Sequence, residues 1–95
     1  MDRQPCVYVL SSPNNNVLYI GVTSQLKQRI WQHKNNIMPS FTSKYNVHNL
    51  VYYELFEDIE AAIAREKQLK TWKRAWKNEL VKSVNPSWQD LYHTL

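Results

Sequence analysis

The stretch that decides the fold is CVYVL at residues 6–10, SSPNNN at 11–16 and VLYIGV at 17–22. The two outer segments are short and rich in β-branched and aromatic residues, which is the composition of β-strands. Between them, proline fixes one turn dihedral, and asparagine tolerates the left-handed backbone region that turns require. The stretch therefore predicts a β-hairpin.

The register of this hairpin decides where its two tyrosines point. If Tyr8 pairs with Tyr19, both phenols lie on the same side of the sheet, whereas a slip of one residue separates them. The sequence alone does not fix this register. Alternation along each strand groups Cys6, Tyr8 and Leu10 on one face of the first strand, and Val17, Tyr19 and Gly21 on one face of the second.

The residues after the hairpin predict a helix. Thr23 or Ser24 is a suitable N-cap, and the helix is expected to run to about Asn35. Leu26 and Ile30, four positions apart, define the stripe that faces the core.

Two polar side chains flank that stripe on one side. Arg29 and His33 lie about 40° apart around a helix of 3.6 residues per turn. We therefore expect both at the rim of the core, next to the sheet, rather than out in solvent. Farther along, Pro39 is expected to end whatever precedes it, residues 41–46 to form a loop with aromatic anchors, and residues 50–56 to form a third strand.

A second long helix is predicted to carry a carboxylate in its apolar face. Asp58 is a suitable N-cap for a helix that starts near Ile59, with Ile59, Ala62 and Ile63 as its inward stripe. Helical spacing places Glu66 in the middle of this stripe. A carboxylate there is costly unless it is paired, hydrogen-bonded or bound to a cation. An ion pair with an arginine, or an escape of the side chain at the helix end, is one explanation. A metal or catalytic role is the other, and geometry alone does not separate them.

No glycine or proline interrupts residues 58–84, which is long for one helix in so small a chain. We therefore expect a break near residues 71–73, followed by a third helix that ends at Asn85 and Pro86. The tail at 87–95 keeps Trp88, Leu91 and Tyr92 and is apolar enough to fold back on the body.

Composition excludes several classes of protein. At 95 residues the chain has room for one domain. Cys6 is the only cysteine, so neither an intramolecular disulfide framework nor a cysteine-based zinc cluster is expected. Because the chain shows neither a hydrophobic leader nor an apolar run of membrane-spanning length, we expect a cytoplasmic protein without a membrane partner.

The charge balance fits a nucleic-acid partner. Twelve Lys and Arg against eight Asp and Glu give a net charge of +4. The positive charges concentrate between residues 65 and 82, where Trp72 and Trp76 also lie. This stretch is either a solvated helix face that the tryptophans anchor to the core, or a surface that tracks phosphates and binds less tightly as salt rises.

These positions together resemble the GIY-YIG nuclease superfamily over about residues 4–80. CVY at 6–8 stands in place of the first signature tripeptide, and YIG at 19–21 matches the second. Arg29 lies eight residues after Gly21, as that pattern expects. Glu66 matches the metal-binding glutamate of the superfamily, and Asn78 matches a polar residue that often accompanies it.

The resemblance implies an α+β, GIY-YIG-like fold, in which about three helices flank a three-stranded antiparallel sheet in the order β-β-α-β-α-α. It also implies a nuclease-like domain at 4–80 and a tail at 81–95 packed on that domain. The segments 64–67 and 85–92 resemble a small stand-alone bacterial branch of largely uncharacterised proteins. The chain departs from the pattern at Cys6, which replaces a glycine, and at Val22, where repair enzymes often carry a basic residue.

The chemistry that the resemblance implies is metal-assisted hydrolysis of a phosphodiester bond. Glu66 would hold one Mg²⁺ (or Mn²⁺), with water and phosphate as its other ligands. Arg29 would bind phosphate oxygens, and Tyr8 or Tyr19 would orient or deprotonate the attacking water. A site for two metals would require several converging carboxylates, which the spacing of the other acidic residues does not provide.

The remaining site residues have supporting roles in this interpretation. His33 would share the role of the tyrosines or bind phosphate, since its spacing from Arg29 resembles the Arg/His pair of some restriction enzymes in the superfamily. Asn78 would orient a neighbour, and Gly21, the only glycine, would permit a close approach of the backbone. The residues expected to bind nucleic acid are Lys27, Lys34, Lys70 and Lys73.

Three hypotheses about function follow. The leading one is a divalent-metal-dependent DNA endonuclease or nickase in DNA repair or processing, with branched and damaged DNA among its candidate substrates and no small-molecule cofactor. The alternative is a nucleic-acid-binding module with the GIY-YIG fold and little or no catalysis. A protein-interaction module that uses Trp88 and Tyr92 is the third.

Overall fold

A three-stranded antiparallel sheet is the frame of the molecule. The structure, a computed structural model, describes residues 3–35, 37 and 41–95. The strands are β1 (Cys6–Ser11), β2 (Leu18–Thr23) and β3 (Asn49–Leu55), in the spatial order β2-β1-β3. β1 is therefore paired on both sides, and β2 and β3 are the edges.

Helices cover both faces of the sheet. They are α1 (Leu26–Lys34), α2 (Phe41–Lys44), α3 (Ile59–Thr71) and α4 (Arg74–Val84), and a 3₁₀ turn (Leu91–Thr94) closes the chain. The predicted α+β class and the order β-β-α-β-α-α are confirmed, with the short α2 added before β3.

The loop predicted at residues 41–46 is wrong in part, because α2 occupies its first four positions. The turn is closed by a hydrogen bond of 2.9 Å from the Val47 amide to the Thr42 carbonyl. Both of these residues are buried, so tertiary packing stabilises a helical turn that local sequence does not announce. Pro39, expected to end the preceding element, lies outside the described residues.

The hairpin register differs from a direct pairing of the two tyrosines. Tyr8 lies opposite Gly21, and Leu10 lies opposite Tyr19. This shift of two residues preserves the face, since side chains alternate with a period of two. A tight loop after β1 sets the register, with a 3.0 Å hydrogen bond from the Ser12 amide to the Val17 carbonyl and Asn15 in the left-handed region at φ 60°.

One face of the sheet is mainly apolar, and we call it the α3/α4 face. Ala62 and Leu69 from α3 and Val81 from α4 are fully buried against it. Trp72 and Trp88 pack at its margin. The strand residues on this face are Val7, Val9, Ile20, Val51 and Tyr52.

The opposite face, the α1 face, mixes aromatic, apolar and polar side chains. Ile30 of α1 is fully buried there, together with Val47. The C-terminal residues Leu91, Tyr92 and Leu95 pack on it. The strand residues on this face include Tyr8, Leu10, Tyr19, Leu50 and Tyr53.

The start of α1 was predicted wrongly. Gln25 occupies the N-cap position and caps without a side-chain hydrogen bond. Thr23 is still the last residue of β2, paired with Cys6, and its hydroxyl accepts the Gln25 amide at 3.1 Å. Because Thr23 is paired in the sheet, it cannot take the N-cap position, and the helix begins later than the sequence suggested.

The cap of α3 is confirmed, and its inward stripe is wrong in part. The Asp58 carboxylate accepts the Ala61 amide at 2.8 Å. Ala62 and Leu69, seven residues apart and nearly in line, are the buried positions of the helix. Ile59 is 38% exposed, because it lies in the first turn and about 60° from that line.

The predicted break between the two C-terminal helices is confirmed. Trp72 and Lys73 are extended, with ψ of 149° and 152°. The sequence suggested that Trp72 and Trp76 anchor this stretch to the core. Trp72 does pack on the apolar core, whereas Trp76 is 53% exposed and does not act as an anchor. Asn85 ends α4, and its buried amide donates to the carbonyls of Val51 and Gln89 at 3.0 and 2.9 Å.

The tail folds back on the α1 face. Asp90 accepts the amides of Leu50 and Tyr92, each at 3.1 Å, and forms an ion pair with Lys34. These contacts fix residues 85–95 against β3 and α1. The division of the chain at residue 80 stays a prediction, and α4 continues through it to Val84.

Candidate active site

Three aromatic rings meet on the α1 face. Tyr8 of β1, Tyr19 of β2 and His33 of α1 have ring centroids 5.7–6.3 Å apart in each pair. The strands hold the two phenols diagonally across the hairpin, and the last turn of α1 places the imidazole over both. Sequence reasoning expected these residues near one another, and the structure brings them together.

A buried chain of hydrogen bonds runs through the imidazole. The Tyr8 hydroxyl lies 3.0 Å from Nε2 of His33, and Nδ1 of the same ring lies 3.0 Å from the hydroxyl of Thr42. All three side chains are buried. Thr42 was missed from the sequence, because nothing in its own neighbourhood marks it. α2 alone brings it to the ring.

The electrostatic environment of Tyr8 links the site residues to one another. Burial raises the pKa of the Tyr8 phenol well above its ordinary value of 10, and Tyr19 and Glu66 raise it further, while the charge of Arg29 lowers it. Arg29 and Glu66 therefore both act on the Tyr8 phenol. The phenol remains protonated at neutral pH and lies within hydrogen-bond distance of Nε2 of His33, where the tautomer of the ring decides which group donates.

His33 is neutral at physiological pH. Burial lowers its pKa below the ordinary value of 6.5, and the positive charges of Arg29 and His48 lower it further. A neutral imidazole has one N–H and one lone pair. His33 can therefore accept a proton on one side of its ring while it donates on the other.

Gly21 makes room for the Tyr8 ring. A Cβ added to Gly21 would lie 2.5 Å from both Cζ and Oη of Tyr8 and 2.9 Å from Cε1. Those contacts are far inside van der Waals range, so any other residue here would push the phenol away from His33. The close neighbour is a side chain, whereas the sequence suggested an approach of backbone.

Glu66 lies on α3 with only 17% of its side chain exposed. Its carboxylate forms an ion pair with Lys70, one turn later, at 3.2 Å. The arginine partner that the sequence allowed is therefore a lysine. The neighbouring Arg65 instead makes two 2.9 Å bonds to Glu54 of β3.

A recess of about 300 Å³ opens beside Tyr19 at the outer edge of β2. Lys70 of α3 and Lys77 of α4 form its charged wall. Lys77 was missed from the sequence, because its distance from Tyr19 depends on how α4 packs on the sheet. The two lysines at this strand edge suit a phosphate group.

The structure places Asn78 and Lys34 away from this arrangement. Asn78 accepts a 2.9 Å bond from Arg74, whose guanidinium also reaches the hairpin loop at the carbonyls of Asn15 and Asn16. Lys34 pairs with Asp90 and lies 5.2 Å from the centre of the Tyr92 ring. This argues against Lys34 as a phosphate contact, because moving it would release the tail.

The two other predicted nucleic-acid contacts are exposed. Lys73 precedes α4, with its ammonium 5.7 Å from the centre of the Trp76 ring. Lys27 projects from the first turn of α1 and lines a cavity on that side of the molecule.

Comparison with known proteins identifies the class of this site. The family model described as the GIY-YIG catalytic domain matches residues 4–79, and the chain therefore belongs to that family. The family is one of nucleases, endonucleases that hydrolyse nucleic acids, and its members generally use divalent metal ions. None of the helices that the structure describes is both long and apolar enough to cross a membrane.

Particular relatives are small proteins of similar length. The chain is 35% identical to a UPF0213 protein of Clostridium perfringens over 77 residues, covering 81% of this chain and 82% of that one. It is also 35% identical to a UPF0213 protein of Natronomonas pharaonis, over 79% of this chain and 87% of the other. The fold is similar to the solution NMR structure of a UPF0213 protein from Bacillus halodurans, with a TM-score of 0.58, 24% identity and 92% of each chain covered.

The residues present fit one divalent cation at Glu66. Among residues 3–35, 37 and 41–95, no three His, Cys, Asp or Glu side chains converge to hold a metal ion. A single hard cation needs one carboxylate when water and phosphate complete its shell. The Lys70 ammonium beside Glu66 indicates that this position accommodates a positive charge.

Proposed function

We propose that this protein is a divalent-metal-dependent DNA endonuclease or nickase that hydrolyses phosphodiester bonds in DNA repair or processing. The observation that carries the proposal is the convergence on Tyr8. The phenol is bonded to His33, packs against Tyr19 and responds to the charges of both Arg29 and Glu66. Titratable groups that shift the pKa of a buried neighbour are concentrated at functional sites.

Arg29, Lys70 and Lys77 bind the phosphate in this proposal. A guanidinium offers a rigid fork of donors to phosphate oxygens, and the two ammonium groups line the recess beside Tyr19. Lys73 extends this positive surface along α4. Preorganised cations of this kind stabilise the charge that develops on a phosphoryl group during its transfer.

The two tyrosines have different roles in this proposal. Tyr8 is 2% exposed, so it is poorly placed to meet solvent, whereas Tyr19 lines the open recess. Tyr19 orients the attacking water. Tyr8 donates to Nε2 of His33, and Nδ1–H donates to Thr42, which fixes the tautomer that leaves Nε2 able to take a proton.

Glu66 is the metal ligand in this proposal, with Mg²⁺ or Mn²⁺ as the ion. A bound divalent cation supplies Lewis-acid stabilisation of phosphoryl charge and lowers the pKa of water. A cation held by Glu66 would displace the Lys70 ammonium from its ion pair, which would make Lys70 available to phosphate. Mutation of Lys70 to Met should therefore tighten the binding of Mn²⁺, as measured by calorimetry in the absence of DNA.

The proposal is tested by incubating plasmid and branched DNA with the protein and Mg²⁺ or Mn²⁺. We expect nicked or cut product that requires the metal, and a loss of about 100-fold or more in Glu66→Ala. Glu79→Ala is the matched control, because Glu79 is an exposed glutamate of α4. No metal-dependent product, or equal cleavage by Glu66→Ala and Glu79→Ala, would contradict the proposal.

The alternative is a nucleic-acid-binding module that retains the fold with little or no catalysis. The observation in its favour is the burial of Tyr8, which raises the pKa of the phenol and leaves almost none of it ionised to act as a base at neutral pH. Under this alternative, binding persists in EDTA and weakens steeply with salt, while no product forms with any divalent ion. Metal-dependent product that Glu66→Ala removes excludes it.

A further inference from the structure

A second cavity, of about 500 Å³, lies on the side of α1 away from Arg29. Trp31 and Leu26 of α1 form one apolar wall, and Leu55 of β3 and Tyr92 of the tail form the other. Arg29 and Trp31 point to opposite sides of the helix, because two positions correspond to about 200°. The volume lies within the range of about 300–1,000 Å³ that is usual for small-molecule sites.

The aromatic wall of this cavity is open to solvent. Trp31 is 50% exposed and Leu55 is 59% exposed. The exposed face of an indole is a surface on which a planar ring can stack. A planar apolar group can lie on this indole without any rearrangement of the core.

The rim of the cavity is polar and positively charged. Gln4, Gln25 and Gln28 place amide groups at its edge, and Lys27 adds an ammonium group. Amides donate and accept hydrogen bonds in pairs, which matches the edges of nucleobases. The ammonium matches a phosphate. The combination favours a nucleotide over an apolar peptide or a lipid.

The cavity is separated from the proposed nuclease site by one turn of α1. Gln25 and Gln28 line it and also line a small recess of about 80 Å³ that contains Arg29. A strand held at Arg29 by its phosphate would have to cross the N-terminal turn of α1 to reach Trp31. The shared glutamines mark the path along which one strand could contact both sites.

We propose that this cavity holds one unpaired base of the substrate strand, stacked on Trp31. The inference rests on the proposed function and names its substrate class, which is DNA with an unpaired nucleotide near the cleaved bond. A fully paired duplex cannot supply such a base without flipping it out of the stack.

The test is an abasic scan of binding in EDTA, where no cleavage occurs. A labelled single-stranded 12-nucleotide DNA is compared with twelve versions that each lack one base, by fluorescence anisotropy. For the wild-type protein we expect one or two adjacent positions at which loss of the base weakens binding by about 5- to 100-fold. Trp31→Ala should bind the intact oligonucleotide as weakly as the wild-type protein binds the abasic one, and removal of the base should weaken its binding no further. Trp31→Phe should again bind the intact oligonucleotide more tightly than the abasic one.

Trp76→Ala is the matched control, since Trp76 is an equally exposed tryptophan outside this cavity. The abasic effect should persist in it. The proposal is overturned if no position shows weaker binding when its base is removed. It is also overturned if Trp76→Ala abolishes that effect and Trp31→Ala does not.

A protein that binds and cleaves DNA without dependence on any single base retains the proposed function and contradicts this inference. Failure to bind or cleave any DNA overturns both. If sedimentation shows a dimer that Leu55→Glu dissociates, the cavity is an interface between copies and the proposal is wrong.

Discussion

The two faces of the sheet differ in how they bury polar groups. On the α3/α4 face the buried side chains are mainly apolar, and the polar ones are the phenol of Tyr52, which bonds to Glu54, and the amide of Asn85 at the end of α4. On the α1 face the structure buries Tyr8, His33 and Thr42 in one hydrogen-bonded chain. Burial of such groups is costly unless every donor finds an acceptor.

This difference assigns different work to the two layers. The α3/α4 face stabilises the fold by the ordinary burial of apolar area, which tolerates substitutions of similar volume. The α1 face is stabilised less by apolar burial, because it also buries a phenol, an imidazole and a hydroxyl that hydrogen bonds hold in fixed positions. Stability and activity should therefore separate when equivalent changes are made on the two faces.

The largest expected change in stability is that of Leu69→Ala on the α3/α4 face. Leu69 is fully buried, so removing its side chain should lower the free energy of unfolding by about 2–5 kcal/mol. Cleavage per folded molecule should fall much less than stability does, because Leu69 belongs to the apolar cluster of the α3/α4 face, although its neighbour Lys70 lines the recess beside Tyr19. Denaturant titration gives the first quantity and cleavage at low temperature gives the second. A rate that falls with stability would erase the distinction between the faces.

Gly21→Ala should lower both the free energy of unfolding and the rate of cleavage per folded molecule. The added methyl group overlaps the Tyr8 ring at 2.5 Å, so we expect a loss of about 1–3 kcal/mol in stability. Because the ring must move away from His33, DNA cleavage should fall further than the folded fraction does. The combination Gly21→Ala with Tyr8→Ala provides the check, since without the ring the added methyl group should cost little further stability, while activity should stay low. An additive loss in the double variant would show that the ring is not the obstacle.

Thr42→Val should weaken the positioning of His33. Valine has the shape of threonine but leaves Nδ1 of His33 without its partner, at a cost of about 1–3 kcal/mol in the free energy of unfolding. The pH profile of cleavage should also change, since the tautomer of His33 is no longer held. Thr42→Ser retains the hydroxyl and should restore the profile. A profile equal in all three proteins would make Thr42 a packing residue only.

The smallest expected effect is a pH dependence of stability. The pKa of His33 is lower in the folded protein than in the unfolded chain, so the unfolded chain binds the proton first as pH falls below about 6.5. The free energy of unfolding should therefore decrease as pH falls from about 7 to 5. His48 contributes in the same direction. Urea titrations at several pH values should show this slope, and it should be smaller in His33→Gln.

The carboxylates of Asp90 and Glu54 act in a separate pH window. Their pKa values lie below the ordinary values of 3.8 for Asp and 4.5 for Glu. Burial alone would raise both pKa values, but the hydrogen bonds from Lys34 to Asp90 and from Arg65 to Glu54 lower them by more. Their stabilisation is lost only as pH falls through those lowered values. A slope confined to that acidic window would mean that the histidines contribute nothing.

The sequence predicts the features of this fold that depend on local chemistry. Asp58 caps its helix through a neighbouring amide, and Trp72 marks the break between α3 and α4. Asn85 ends α4, as expected before proline. Each of these signals acts within a few residues, so no knowledge of the rest of the chain is required.

The features that were missed depend on contacts between distant residues. Thr23 fails as a cap because its pairing with Cys6 keeps it in β2. Thr42 becomes part of the site only because α2 brings it to His33, and Lys77 only because α4 packs beside β2. Tyr8, Tyr19, Arg29 and Glu66 were found because their order along the chain resembles a known family.

The most direct test of the account makes the same chemical change on the two faces. Single-turnover cleavage of DNA with Mg²⁺ is measured for Tyr19→Phe on the α1 face and Tyr52→Phe on the α3/α4 face. The account predicts a rate lowered about 100-fold or more in Tyr19→Phe and within about threefold of wild type in Tyr52→Phe. Equal rates in the two variants, or a larger loss in Tyr52→Phe, would contradict the assignment of the chemistry to the α1 face.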